Sequence, residues 1–136
     1  MCKRSCKINK KYIIEGISFN QETTLSGKSI ISNTKLAKEK GFYVTMNYIG
    51  VESVDIAKER VAIRVSKGGH GIPDEAIERR YDDSLANLNK VISMCDKINI
   101  YDNTEMFKLV MAVNNGEIIW KDRNSPSWLN MDLNDE

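Results

Sequence analysis

Four arginines have the chemistry and spacing to bind a phosphate group. Arg60 and Arg64 are four residues apart, which places both on one face of a helix, and Arg79 and Arg80 follow a glycine-rich segment. A guanidinium stays charged, binds phosphate oxygens in a two-pronged way and neutralises the charge that spreads over a transferred phosphoryl group. The alternative is that the arginines form surface ion pairs with the acidic residues around them, Glu59, Asp74, Glu75 and Glu78.

A second candidate site is the run Glu22-Thr23-Thr24, which stands where a predicted strand gives way to a helix. Ligands of open α/β sheets bind at such an edge. A carboxylate and two hydroxyls there can hold a sugar hydroxyl, or a metal ion through water. The alternative is that the threonines cap the next helix and that Glu22 is solvated.

The run Gly27-Lys28-Ser29 has the ending of a phosphate-binding loop, whose full pattern is G-x-x-x-x-G-K-[ST]. The position of the first glycine holds Glu22 instead, five residues before Gly27. A carboxylate at this point repels the phosphates that the backbone amides of such a loop hold. We therefore predict that this run is not a phosphate-binding loop.

His70 is the single histidine and lies among Gly68, Gly69 and Gly71. Three glycines in four positions give the backbone great freedom, which predicts a mobile loop between two helices. His70 can donate a hydrogen bond to a phosphate, or it can be simply a polar surface residue.

The elements that position these residues follow from the pattern of apolar positions and of glycine and proline. Helices are predicted at residues 8–16, 27–41, 53–67, 73–88 and 126–133. Strands are predicted at residues 17–24, 42–49, 97–101, 109–113 and 117–120, with the second buried on both faces and the last two joined by the turn Asn114-Asn115-Gly116. Strands that alternate with helices predict an α/β fold, with a mostly parallel sheet flanked by helices and a C-terminal β-hairpin.

Length and composition predict one globular domain over residues 1–136 in the cytoplasm. A formal charge of +1 gives no overall field that attracts nucleic acid, and no stretch approaches the roughly 18 apolar residues of a membrane span. Cys2, Cys6 and Cys95 form no C-x-x-C pair and lie far from His70 in sequence, so we predict no metal site and reduced thiols.

Several short motifs follow one another along the chain: Glu22-Thr23-Thr24-Leu25-Ser26-Gly27, Tyr48-Ile49-Gly50, Ala57-Lys58-Glu59-Arg60-Val61-Ala62-Ile63-Arg64-Val65, Gly68-Gly69-His70-Gly71-Ile72-Pro73, Arg79-Arg80-Tyr81, Ser84-Leu85-Ala86-Asn87-Leu88 and Tyr101-Asp102-Asn103-Thr104. In this order they resemble the zeta-toxin-like family of P-loop ATPases and kinases. The resemblance covers about residues 19–128, and its most specific part is residues 59–88.

The resemblance implies a kinase that uses ATP and Mg²⁺ and passes the γ-phosphate to a hydroxyl of a nucleotide sugar, UDP-N-acetylglucosamine for the family's toxins. It implies catalytic roles for Arg64 and Arg80. It also implies nucleotide or phosphate binding by Arg60, Arg79, His70, Asp102 and Asn103. The resemblance further implies that Glu22, Thr23 and Thr24 bind the substrate.

The chain departs from the family before Phe19, where the first strand, the phosphate-binding loop and the general-base aspartate have no counterpart. We therefore expect a P-loop NTPase-like domain that is truncated at its N-terminus and inactive alone. The expected partners are a nucleotide sugar, a separate N-terminal half, an antitoxin or a second copy of the chain. The alternative is a non-catalytic remnant that binds a nucleotide sugar or another protein.

Overall fold

The computed structural model describes residues 10–129, which form an α/β fold. The helices are α1 at residues 10–15, α2 at Ser29–Glu39, α3 at Val54–Ser66 and α4 at Asp74–Val91. The strands are β1 at Thr45–Gly50, β2 at Lys97–Asp102, β3 at Lys108–Asn114 and β4 at Glu117–Lys121. No helix in this part of the chain is long and apolar enough to cross a membrane.

The four strands form one sheet in the order β1-β2-β3-β4. Strands β1 and β2 are parallel and are joined by a crossover that contains α3 and α4, whereas β2–β3 and β3–β4 are antiparallel. The sheet is thus mixed and not mostly parallel as predicted. Residues 103–107 are too few for the crossover of a dozen or more residues that a second parallel pair needs.

The predicted C-terminal hairpin is confirmed. Strands β3 and β4 are joined by Asn115 and Gly116, whose φ angles are 51° and 81°. Positive φ at both central residues is the requirement of the tight turn that favours an Asn-Gly pair.

The helices cover one face of the sheet. Side chains of the two central strands are fully buried on this face and include Ile98, Ile100 and Met111. They pack against Leu88 and Val91 of α4, the longest helix, and against the side chains that follow the hairpin. Cys95 borders this core, and burial raises the pKa of its thiol to about 11.

Strand β1 differs from the prediction that it is buried on both faces. It lies at the edge of the sheet, and its residues alternate between exposed and half-buried positions. The run from Phe42 to Ile49 is uncharged and apolar like a central strand, but the helices cover only one of its faces.

The strand predicted at residues 17–24 is wrong, and the helix predicted at residues 126–133 is not found over residues 126–129. Residues 17–24 form an irregular connection and no strand, since no other strand lies beside them to form a ladder. Residues 126–129 form a turn in which the amide of Leu129 donates to the carbonyl of Pro126, and residues 130–133 of the predicted closing helix lie outside the described residues. The predicted docking of Trp128 and Leu129 onto the core is confirmed, since both are buried.

The starts of the two crossover helices lie within one residue of the prediction, with Pro73 at the cap of α4 and not in its first position. Ser53 caps α3, with its hydroxyl accepting a hydrogen bond from the amide of Ile56 at 3.3 Å. Pro73 directly precedes α4, and Asp74 and Glu75 occupy the first turn, where the helix dipole favours negative charge.

Candidate functional site

A cleft of about 250 Å³ opens at the carboxyl end of β1, between this strand and helices α3 and α4. This is the end of a parallel pair at which ligands of open α/β sheets bind. The wall is mainly apolar: Ala57 and Val61 line it from α3, and Ile77 and Leu85 line it from α4. The remaining lining residues include Ile72, which lies in the loop between the two helices.

Arg80 is the one charged residue among the described residues that line the cleft. Its side chain is partly buried, and it lies two turns into α4, one residue before Tyr81. No carboxylate shares the lining with it. The cleft therefore presents a single positive charge against an apolar wall.

Hydroxyl groups supply most of the other polar atoms of the cleft. The hydroxyls of Tyr48 and Ser84 share a hydrogen bond at 3.0 Å, and the hydroxyl of Tyr81 donates to the carbonyl of Val51 at 2.9 Å. Burial raises the pKa of both tyrosines, so their phenols stay protonated near neutral pH. These bonds attach the end of β1 to α4 and fix the distance between these two sides of the cleft.

Trp128 forms the floor of the cleft and lies directly under β1. A methyl group at Gly50 would come within 2.5 Å of the indole ring, so only glycine allows this approach. The indole also packs against Tyr48, with ring centroids 6.0 Å apart. The shape of the cleft thus depends on a residue that follows the hairpin, far from β1 in sequence.

Asp102 lies at the carboxyl end of β2 and is buried beneath this floor. Its Oδ1 accepts hydrogen bonds from Nε1 of Trp128 at 3.0 Å and from Oγ1 of Thr104 at 2.6 Å. The amide of the neighbouring Asn103 donates to the carbonyl of Gly50 at 2.9 Å. Asp102 and Asn103 therefore support the floor, and neither lines the cleft.

The other three candidate arginines do not converge on the cleft with Arg80. Arg60 uses Nη2 to donate to the carbonyl of Thr104 at 2.8 Å, which fastens α3 to the end of β2. Arg64 is exposed in the last turn of α3, and Arg79 is exposed on α4. None of the three lines the cleft.

The remaining candidate residues are divided between the cleft and the surface. Thr24 lines the cleft, and its hydroxyl shares a hydrogen bond with that of Ser26 at 2.7 Å. Thr23 accepts a bond from the amide of Leu25 at 3.1 Å. Glu22 and His70 are exposed and do not line the cleft.

Asn87 was not among the predicted site residues, yet it fixes the segment that carries Thr24. It is buried in α4, and its Nδ2 donates to the carbonyls of Leu25 at 2.8 Å and of Gly27 at 2.9 Å. Leu25 and Gly27 both have positive φ angles, 54° and 86°. The sequence signal for this role is the side-chain amide of Asn87, which directly precedes Leu88 on the apolar side of α4.

The comparisons with known proteins leave the family open. No protein-family model matches the chain, and no solved structure matches it. An uncharacterized protein of Haemophilus influenzae is 49% identical to it over 69 residues, which are 51% of this chain and 49% of that protein. The chain thus spans about half the length of the curated relative that it matches.

The family resemblance implies a magnesium ion, and the lining of the cleft offers no carboxylate to it. Residues 10–129 hold no group of three or more His, Cys, Asp or Glu side chains that could bind a metal ion together. The cleft itself is lined by hydroxyls, one guanidinium and apolar groups, whereas magnesium is bound through carboxylates and phosphates.

Proposed function

We propose that this chain is the lid-bearing and acceptor-binding part of a zeta-toxin-like phosphotransferase. On this proposal the cleft binds the phosphorylated sugar of a nucleotide sugar such as UDP-N-acetylglucosamine, and the mixed sheet derives from a P-loop NTPase-like sheet. The order of the sequence motifs supports the family. The observation that carries the binding function is Arg80, the single charge in the cleft lining.

The surroundings of Arg80 favour an anionic ligand. A positive charge beside an apolar wall is poorly screened by water, so its attraction for a phosphate is stronger than at an open surface. A guanidinium also offers two parallel donors to phosphate oxygens. Because no carboxylate lines the cleft, no group of the lining competes with the ligand for Arg80.

The size of the cleft limits how much of a ligand it can hold. Its volume of about 250 Å³ lies below the roughly 300–1,000 Å³ of pockets that enclose a whole small molecule. One phosphate with an attached sugar is therefore a better fit than a complete nucleotide sugar. The hydroxyls of Thr24 and Ser84 can bind sugar hydroxyls, while Trp128 and the apolar wall contact the less polar ring face.

The test is a calorimetric titration of the purified chain with UDP-N-acetylglucosamine. Arg80→Ala should weaken binding by about 10-fold to 100-fold, which corresponds to the roughly 1.5–3 kcal/mol of a hydrogen bond to a charged group. Arg79→Ala is the matched control, since Arg79 is the exposed neighbour that does not line the cleft. A chain that does not bind, or an equal effect of both substitutions, would contradict the proposal.

A second titration with magnesium-ATP addresses the catalytic part of the proposal. We expect no ATP binding and no ATP turnover by the chain alone, because it carries no G-x-x-x-x-G-K-[ST] motif to hold the β- and γ-phosphates. Turnover that Arg64→Ala abolishes would refute this expectation.

A non-catalytic nucleotide-sugar-binding module is the second candidate function. It is favoured by the lining of the cleft, which offers no carboxylate that could act as a general base. Co-expression with a separate protein that carries a phosphate-binding loop distinguishes the two candidates. ATP turnover gained in the complex supports the phosphotransferase, and a complex or mixture without turnover supports the binding module.

A further inference from the structure

The sheet face opposite the helices, the open face, carries an apolar surface within the described part of the chain. Phe107 is 53% exposed and stacks on Tyr101 at 4.8 Å between ring centroids. Leu109 pairs with Tyr101 across β2 and β3, and Trp120 of β4 is 47% exposed. An exposed group of large apolar side chains on one sheet face is typical of an interaction surface.

The strand register orders the open face into rows. One row runs from Asn99 through Ala112 to Trp120, and the next row runs from Lys97 through Asn114 to Glu117. Ala112 is the smallest side chain of its row and is itself buried. The face is therefore low at Ala112, between Asn99 of β2 and the half-exposed Trp120 of β4.

We propose that two copies of the chain associate through their open faces, about a two-fold axis that runs parallel to β3 above Ala112. Rotation about this axis places each row of one copy over the same row of the second copy, with the order of its residues reversed. Trp120 of one copy then faces Asn99 of the second copy, and the two copies of Ala112 face each other. Such an arrangement is self-complementary, as a two-fold interface requires.

The same axis places Lys97 of each copy opposite Glu117 of the second copy. Both side chains are exposed, and neither forms an ion pair with another described residue of its own chain. Within one chain they stand two strands apart with Asn114 between them, and they form no ion pair with each other. Charge complementarity thus selects a second copy as the occupant of the open face.

The interface is small. The axis above β3 brings β2, β3 and β4 of the two copies together, and three strands of about six residues cover roughly 14 Å by 20 Å, which is below the size of a stable standard interface. We therefore expect a dimer whose population rises with protein concentration and falls as salt screens the two ion pairs. The cleft lies on the helix side of the sheet, so this inference does not depend on the proposed function.

Sedimentation velocity over a range of protein concentrations tests the proposal through charge reversal. Lys97→Glu and Glu117→Lys should each give monomers, because every ion pair becomes a like-charge contact. A mixture of the two variants should form dimers again, since the reversed charges then match across both contacts. The double variant K97E/E117K should dimerise as well. Lys35→Glu on the exposed surface of α2 is the control and should leave the dimer unchanged.

Three results would overturn the proposal. The wild-type chain could sediment as a monomer at every concentration, the dimer could survive either single reversal, or the mixture of the two variants could remain monomeric. Circular dichroism of each variant establishes that it is folded. If a single variant does not fold, the double variant and Trp120→Ala provide the same comparison. The double variant should dimerise, and Trp120→Ala should be monomeric.

Discussion

Nε1 of Trp128 donates a hydrogen bond to Oδ1 of Asp102 across 3.0 Å, and both residues are buried. This bond joins the segment after the hairpin to the carboxyl end of β2. Thr104 donates to the same oxygen and itself accepts a bond from the amide of Glu52, which follows β1. One carboxylate therefore aligns the ends of two strands with the floor of the cleft.

Asp102→Ala should destabilise the fold, because it leaves the buried indole N–H without an acceptor. We expect a loss of about 1–3 kcal/mol in the free energy of unfolding, measured by urea denaturation. Asp102→Asn keeps an oxygen at the same position and should cost less. Equal losses for both variants would show that the charge, and not the acceptor, matters.

Gly50→Ala should displace Trp128, since the new methyl group would lie 2.5 Å from the ring. Overpacking of this kind costs about 1–3 kcal/mol, and we expect a lower unfolding temperature and a changed tryptophan fluorescence. Gly71→Ala is the control, because its methyl group would meet only an ordinary contact at 3.5 Å. A variant with wild-type stability and fluorescence would contradict the tight approach of ring and strand.

Asn87→Ala should loosen the segment before α2, because two backbone carbonyls lose their donor at once. We expect faster amide hydrogen exchange at residues 25–28 and a loss of about 2 kcal/mol in stability. Asn89→Ala is the matched control on the exposed side of the same helix. Unchanged exchange in the Asn87 variant would show that the segment is held by other contacts.

Asp96 should make stability depend on pH. Its carboxylate accepts bonds from Nζ of Lys38 at 2.6 Å and from the amide of Val44 at 2.7 Å, and these bonds lower its pKa, the lysine having the larger effect. A lowered pKa in the folded state contributes stability above the unfolded pKa of roughly 4, and this contribution is lost as pH falls through the folded value.

Asp96→Asn should therefore reduce the free energy of unfolding by about 1–2 kcal/mol at pH 7. The difference from the wild type should begin to shrink below roughly pH 4, where the carboxylate is protonated in the unfolded state, and should be lost as the pH falls through the lowered pKa of the folded state. Urea denaturation at several pH values measures this difference. A difference that stays constant down to pH 2 would contradict the role of the charge.

Local patterns predicted most of the helices and strands, because their signals lie within each element. The Ser53 cap, Pro73 and the Asn115-Gly116 turn each act within a few residues, and all three stand where the sequence placed them. The strand predicted at residues 17–24 failed because a strand also needs a neighbour, which no local pattern supplies. The same holds for β1, whose apolar sequence does not reveal that only one of its faces is covered.

The site was harder to predict than the fold, because its geometry comes from distant parts of the chain. Arg64, Arg79 and Arg80 are equivalent candidates by residue type, but only Arg80 is turned towards the cleft by the packing of α4. Trp128 reaches β1 only through the hairpin, and Asp102 is buried by that same approach. None of these relationships has a signature in sequence spacing.

Helix α3 forms one wall of the cleft and yet has no buried residue. Two polar interactions help to hold it: Lys58 forms an ion pair with Glu78 of α4, and Arg60 donates a hydrogen bond to the carbonyl of Thr104. Since apolar burial supplies most of the free energy that holds an element in place, α3 should open far more often than α4. We therefore expect the α3 wall of the cleft to open more readily than the α4 wall, and a ligand that contacts both walls to spend part of its binding energy on ordering α3.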